Sequence, residues 1–199
     1  MMSELVDRLD DKYPYSLMGH KNQYGTTAVF SRYPVTDSYV LDLGADRPAV
    51  VLKVEEEGTE ITFISAHLLA YGLQWVALPD IPQTVMQRTS DQKRQASLLL
   101  KEVLKQKEAV ILACDCNSQE MSDSFRLLNG PMVNTAQTVG WMIGDPPLAG
   151  AQQDTDFQHI DYVFYRGQLE PIAVYSIRDM GGSDHLPVLA LFNFVKVHP

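Results

Sequence analysis

Ala109-Val110-Ile111-Leu112-Ala113-Cys114-Asp115-Cys116-Asn117 decides how the chain is read. Ala109 to Cys114, six residues, is the longest unbroken apolar stretch in the sequence. Within it, Val110 to Cys114 reads as a strand covered on both faces, because it leaves neither face for water. Just before it lies the clearest helical pattern, from about Ser90 to Lys107. There Ala96, Leu99, Leu100, Val103 and Leu104 follow the i, i+3, i+4 spacing of a buried stripe. A helix feeding directly into a buried strand marks a layered α/β structure. The strand then stops at Asp115 and Asn117, whose i, i+2 spacing puts both on one side of an extended chain.

Working outward, strands are expected at Thr26–Phe30, Ser38–Asp42, Ala49–Val54 and Ile61–Ala66, with a hairpin turn at Glu55–Thr59. Later strands are expected at Ile160–Tyr165, Ile172–Ile177 and Val188–Phe194. A short helix should begin at Ser122 and close at Gly130. A first helix is expected over Ser3–Lys12. The polar segments Tyr71–Thr89 and 134–158 read as surface loops, with Trp75 and Trp141 covering the core. Hairpin-linked and helix-linked strands together predict two packed sheets with helices outside, in one domain spanning residues 1–199.

The chain has 199 residues, with 16 basic and 25 acidic side chains and a net charge of −9. That balance argues against a general nucleic-acid binder, since non-specific affinity for nucleic acid comes from Lys and Arg neutralising phosphates. The first residues are neither basic nor apolar enough for a secretory signal, and no stretch is long enough to span a membrane. A cytoplasmic location is therefore expected. The two cysteines, Cys114 and Cys116, are too few for a zinc site. Their closeness in sequence favours two buried thiols over a structural disulfide.

Polar residues gather where apolar strands stop. His67 ends Ile64-Ser65-Ala66-His67-Leu68, and Asp115 and Asn117 end the central strand. Asp161 opens His159-Ile160-Asp161-Tyr162-Val163-Phe164. Asp184 and His185 precede the last strand in Gly181-Gly182-Ser183-Asp184-His185-Leu186-Pro187-Val188. Each alone reads equally well as a rim residue or a turn cap. Four such constellations, each at a strand end of one small chain, point to a shared site.

As an ordered set these stretches resemble the endonuclease/exonuclease/phosphatase superfamily, the DNase I-like metal-dependent phosphodiesterases. Ser65-Ala66-His67-Leu68 is similar to its (S/T)-x-H-L motif, and Cys114-Asp115-Cys116-Asn117 to its G-D-x-N. His159 to Phe164 is similar to R-I-D-Y-x-F, Ser183 to Val188 to S-D-H-x-P-V, and Phe30-Ser31-Arg32-Tyr33-Pro34-Val35 to S-R-x-P. Cys114 and His159 depart from the family's Gly and Arg without removing a reacting group. The matches run from about Tyr13 to Phe194.

The resemblance implies a four-layer α/β/β/α sandwich and hydrolysis of a phosphoester or phosphodiester. It implies that Asp115 orients or deprotonates a water while Asn117 bonds the phosphate. His185, paired with Asp161, then contacts a phosphoryl oxygen, and His67 serves as a second acid or as a hydrogen-bond donor to the phosphate. Arg32 adds a phosphate contact, and Asp184 faces the metal, Mg²⁺ or Mn²⁺. Family members begin with a strand carrying an Asn and continue to a Gln-Glu whose glutamate binds the metal. The chain resembles a family domain truncated before that point, so weak or no activity is expected, together with self-association through an exposed sheet. A non-catalytic interaction protein retaining the fold is the alternative. Nucleic acid is not the favoured substrate. Six basic residues (Arg88, Lys93, Arg94, Lys101, Lys105, Lys107) on or near the long helix read as a solvated face.

Overall fold

A computed structural model of the chain describes residues 8–9, 11–20, 26–56, 58–143, 159–179, 183 and 185–195. Five strands come first: β1 (Tyr15–His20), β2 (Thr26–Ser31), β3 (Val35–Asp42), β4 (Pro48–Glu56) and β5 (Thr59–His67). Single 3₁₀ turns at Leu73–Trp75 and Leu78–Asp80 lead into the long helix α1 (Ile81–Lys105), and β6 (Ala109–Asp115) follows it. Then come α2 (Asp123–Leu128), β7 (Val133–Asn134), α3 (Thr135–Val139) and β8 (Met142–Ile143). Strands β9 (Asp161–Arg166), β10 (Leu169–Ser176) and β11 (Val188–Phe194) complete the order.

The architecture is the α/β sandwich that the strand and helix patterns predict. A six-stranded sheet runs β3-β4-β5-β6-β9-β7, with β5 and β6 parallel and the other pairs antiparallel. One face packs against α1 and α2 through Val51, Ile64, Leu112, Leu99, Val103 and Phe125, all buried in one cluster. The opposite face meets a second layer. Among the described residues this layer has two separate pieces, β1-β2 and β11-β10-β8. Leu52, Ile61 and Leu169 fill the space between the layers. No helix among the described residues is long and apolar enough to cross a membrane.

Several elements differ from the sequence reading. Helix α1 starts nine residues earlier than the apolar stripe suggests, at Ile81 against Ser90. Pro82 suits a first helical turn, but the buried face begins only at Gln92, so residues 81–91 leave no apolar signature. The buried face is also partly polar. Gln92, Gln95 and Glu102 are inside, while Leu104 is 54% exposed. β1 has no clean alternation to betray it. It fits because Gly19 lets its backbone approach β3 and β4, where an added Cβ would meet Pro48 Cβ at 3.1 Å and Val40 Cγ1 at 3.2 Å. Part of the expected loop 134–158 is instead α3 and β8. Trp75 covers no core, being 87% exposed. Trp141 is half-buried and donates from Nε1 to Ser176 Oγ at 2.7 Å. Of the expected helix Ser3–Lys12, residues 3–7 and 10 lie outside the described residues, and Arg8 and Leu9 are helical.

Glu102 pins α1 to the sheet. Its Oε1 accepts from Tyr39 Oη at 2.6 Å and Gln106 Nε2 at 2.8 Å, and its Oε2 accepts from Lys105 Nζ at 2.8 Å. Burial alone would raise the pKa of this carboxyl, yet the bonds from Lys105, Tyr39 and Gln106 outweigh burial and hold it below the ordinary carboxylate value. Burial, with the bond to Glu102, pushes Tyr39 up to about 12. A depressed carboxyl stabilises the fold fully above its unfolded pKa and loses that contribution as pH falls through its folded pKa. Glu102→Gln should therefore cost about 2 kcal/mol at neutral pH, or roughly 4–8 °C of melting temperature. The gap to wild type should begin to narrow at about pH 4, near the unfolded carboxylate pKa, and close as the pH falls through the lower folded one. A gap that does not narrow as the pH falls below about 4 would show that packing, and not the charge, carries the effect.

Candidate active site

Strand register assembles the site. Across the six-stranded sheet His67 of β5 lies opposite Asp115 of β6, and Asp115 lies opposite Asp161 of β9. Three strand-end residues thus share one rung. Alternation turns all three away from the α1 face, because their neighbours Ala66, Cys114 and Tyr162 belong to the core beneath. A one-residue slip of any strand would bury its member of the trio. His185, just before β11, reaches the same place from the second layer.

Two His–Asp pairs result. His67 Nε2 lies 3.3 Å from Asp115 Oδ2, and His185 Nδ1 lies 2.9 Å from Asp161 Oδ2. All four side chains are between one quarter and one third exposed, at the wall of a cleft of about 400 Å³. The cleft is also lined by Thr26 and Thr27 of β2 and by Leu186 to Val188, so it opens between the two pieces of the second layer. Tyr162, stacked edge-on against Phe125 with centroids 4.8 Å apart, anchors the start of β9 beneath Asp161. Its hydroxyl donates to His159 O at 2.5 Å, with Ser118 O 3.2 Å away, and burial raises its pKa.

Buried glutamines hold the loops that follow β5 and β6. Gln92 Nε2 donates to Leu69 O at 2.7 Å and Asn117 O at 3.0 Å. Gln95 Oε1 accepts from Leu69 N at 2.9 Å, and its Nε2 donates to Gly44 O at 3.1 Å. These bonds satisfy backbone groups that would otherwise be buried without partners. Gly44 belongs to the tight turn between β3 and β4, where Ala45 and Asp46 take positive φ values of 50° and 56°. That turn delivers Arg47, which sequence reasoning misses. Its Nη1 lies 3.3 Å from His67 Nδ1 and 3.4 Å from Nε2. Burial lowers the Arg47 pKa, the Asp115 charge opposes that shift, and Arg88 adds to it. An Arg-Pro opening a strand at Pro48 is the only trace in the sequence, and it carries no chemistry by itself.

His67, Asp115, Asp161 and His185 come together as the sequence predicts. Asn117 sits beside them with φ 46° and lines the adjacent hollow with Tyr71 and Met121. Its Nδ2 donates to Leu68 O at 3.0 Å and its backbone N–H to Asp115 Oδ1 at 3.2 Å, so it ties the β5 and β6 ends together. Arg32 does not join the cluster. It lies past Ser31, at the opposite end of β2 from the cleft-lining Thr26, with its guanidinium 5.0 Å from the Tyr13 ring centroid. The strand points its two ends at different hollows, and Arg32 lines the other one. Asp184 lies outside the described residues.

The cysteines also differ from expectation: Cys114 and Cys116 form a disulfide. The chain bends as it leaves β6, where Cys116 N donates to Ile160 O at 2.8 Å. The bend brings the two Cα atoms to 5.2 Å, inside the range a disulfide spans.

Asp115, Asp161 and His185 each offer a ligand atom, all within 4.8 Å of one another. Two carboxylates and an imidazole on an open cleft fit a divalent cation such as Mg²⁺ or Mn²⁺, with water completing its shell.

The profile of the endonuclease/exonuclease/phosphatase family matches residues 3–185. Curated protein sequences return no match. Solved structures do. An endonuclease/exonuclease/phosphatase from Bacteroides vulgatus shares 15% identity over 98% of this chain and 80% of its own, with a TM-score of 0.69. D. rerio TDP2, complexed with single-strand DNA product, shares 16% over 96% of this chain and 81% of its own, at 0.70. The mannosyl-6-phosphatase of Bacteroides thetaiotaomicron shares 13% over 96% and 82%, at 0.66. At such identities the likeness is one of fold.

Proposed function

The chain belongs to the endonuclease/exonuclease/phosphatase family, whose members are hydrolases of phosphoester bonds, and from that membership we propose that it is a divalent-metal-dependent phosphodiesterase. The observation that carries the reading is the shared rung of His67, Asp115 and Asp161, with His185 closing the cleft from the other layer. Hydrolysis of a phosphodiester needs an aligned water, neutralisation of the phosphoryl oxygens and protonation of the leaving alkoxide. Asp115 takes the proton of the attacking water. His185, as the imidazolium, donates from Nε2 to a phosphoryl oxygen, while Asp161 accepts from Nδ1–H and so fixes the ring. His67, set between Asp115 and Arg47, is placed to protonate the leaving oxygen. Arg47, against His67, adds positive charge beside the cleft, the role expected of Arg32. Mg²⁺ or Mn²⁺ would be held by the carboxylates of Asp115 and Asp161 and would supply further charge neutralisation at the phosphoryl group.

The net charge of −9 disfavours duplex nucleic acid and favours a small phosphodiester. The test is hydrolysis of bis-p-nitrophenyl phosphate by the purified chain. Turnover above the buffer rate is expected with Mn²⁺ or Mg²⁺, stopping in EDTA and returning when the metal is restored. A rate indifferent to EDTA, or none with either metal, sinks the reading and favours a binding protein on the same fold.

A further inference from the structure

Cys114 and Cys116 bracket Asp115, and the hydrolytic steps make no use of the disulfide between them. We infer that this disulfide is a redox-sensitive clamp that aims Asp115 into the cleft, and that its reduction slackens the catalytic cluster. The effect on turnover rests on the phosphodiesterase reading; the effect on structure does not.

The argument begins with strand alternation. Cys114 and Cys116 are 3% and 0% exposed and sit in the core between the six-stranded sheet and α1. Asp115, between them, points to the opposite face. Two core residues are therefore tied together directly beneath the residue that faces the cleft. Two fully extended residue steps span roughly 6.6–7.2 Å, yet Cα114 and Cα116 are 5.2 Å apart. The tie holds the chain contracted where it turns out of β6. Just beyond, Asn117 takes a left-handed φ of 46°, a conformation that Asn reaches more easily than most residues with a Cβ. That conformation aims the Asn117 N–H at Asp115 Oδ1, 3.2 Å away, while Oδ2 meets His67 at 3.3 Å. The bend thus sets Oδ1, and the β5–β6 register sets Oδ2. Opening the S–S bond frees Cys116 to straighten and draws the Asn117 amide away from Oδ1.

Both sulfurs lie in the core, and Cys114, at 3% exposure against 0% for Cys116, is the one a small dithiol meets first when the end of β6 opens. A thiolate of the dithiol attacks Cys114 Sγ. The S–S bond breaks, and its electron pair leaves on Cys116 Sγ, which takes up a proton. The second thiol of the reductant then attacks the mixed disulfide, releasing Cys114 as a thiol and the reductant as a cyclic disulfide. Two electrons and two protons pass to the cysteine pair.

The experiment uses the chain purified without reductant, compared before and after dithiothreitol. Alkylation with mass analysis counts thiols, amide hydrogen exchange follows residues 112–118, and bis-p-nitrophenyl phosphate turnover is read on the same samples. No alkylated thiol is expected before reduction and two after it. Exchange at 115–118 should rise about 10-fold or more with α1 unchanged, and turnover should fall about 10- to 100-fold, the scale set by small misplacements of a catalytic group. Reoxidation should reverse both changes. The C114A/C116A variant should show the low rate with or without dithiothreitol. If that variant does not fold, reduction of the wild type still decides. Two alkylatable thiols in untreated protein, or exchange unchanged by reduction, overturn the clamp. Altered exchange with unaltered turnover overturns its part in catalysis. No turnover in either form counts against the phosphodiesterase reading alone, and the exchange data still judge the clamp.

Discussion

Asp115→Asn should lower kcat/KM for bis-p-nitrophenyl phosphate by about 10³-fold, within the ~10²–10⁴ that a positioned general base contributes. The substitution keeps the shape of the side chain, so the rung of His67, Asp115 and Asp161 should survive and the melting temperature should change little. What is lost is the charge and the basic oxygen. Asn offers no anion to His67 Nε2, 3.3 Å away, and cannot take a proton from water. The loss should fall mainly on kcat, because the interaction strengthens as the proton moves. A variant within tenfold of wild type would assign the base elsewhere.

Asp161→Asn should be nearly as damaging, with a fall of about 10²- to 10³-fold in kcat and a smaller change in KM. Asp161 Oδ2 accepts from His185 Nδ1 at 2.9 Å, and the bond fixes which ring nitrogen faces the substrate. An amide in its place carries no charge to stabilise the imidazolium, so the ring gives up one of the two protons it needs to bond both Asp161 and the phosphoryl oxygen. Because the two residues act as a unit, Asp161→Asn combined with His185→Ala should be little worse than either change alone. A fully additive double variant would show that the two side chains act separately.

Much of the fold was legible because its strands are apolar where they are buried and stop at polar residues. The bounds Val188–Phe194 for the last strand coincide in sequence and structure, and the central strand extends by one residue at each end. The four residues of the paired cluster were legible for the same reason, each standing at a strand end. What the pattern did not show depends on partners far along the chain. The first eleven residues of α1 gave no signal because their faces meet solvent, and the buried Gln92 and Gln95 read as surface residues until their backbone partners at 44, 69 and 117 are known. Arg47 was missed for a related reason, since only the turn at residues 44–46 and the β4–β5 pairing bring it to His67. Arg32 was assigned to the site from motif order, which carries no information about which end of β2 faces the cleft. The disulfide was missed because alternation on a regular strand keeps i and i+2 too far apart, and the chain bends at Cys116.

The central claim is that Asp115 and Asp161, with His185 beside them, hold one divalent metal inside the cleft between the two layers. Crystals of the chain soaked in Mn²⁺ and measured for anomalous scattering test it most directly. The account predicts an anomalous peak in the cleft, in contact with the carboxylates of Asp115 and Asp161, that is lost in Asp115→Asn crystals. A peak at any other site with the cleft empty, or one unchanged by Asp115→Asn, would contradict it.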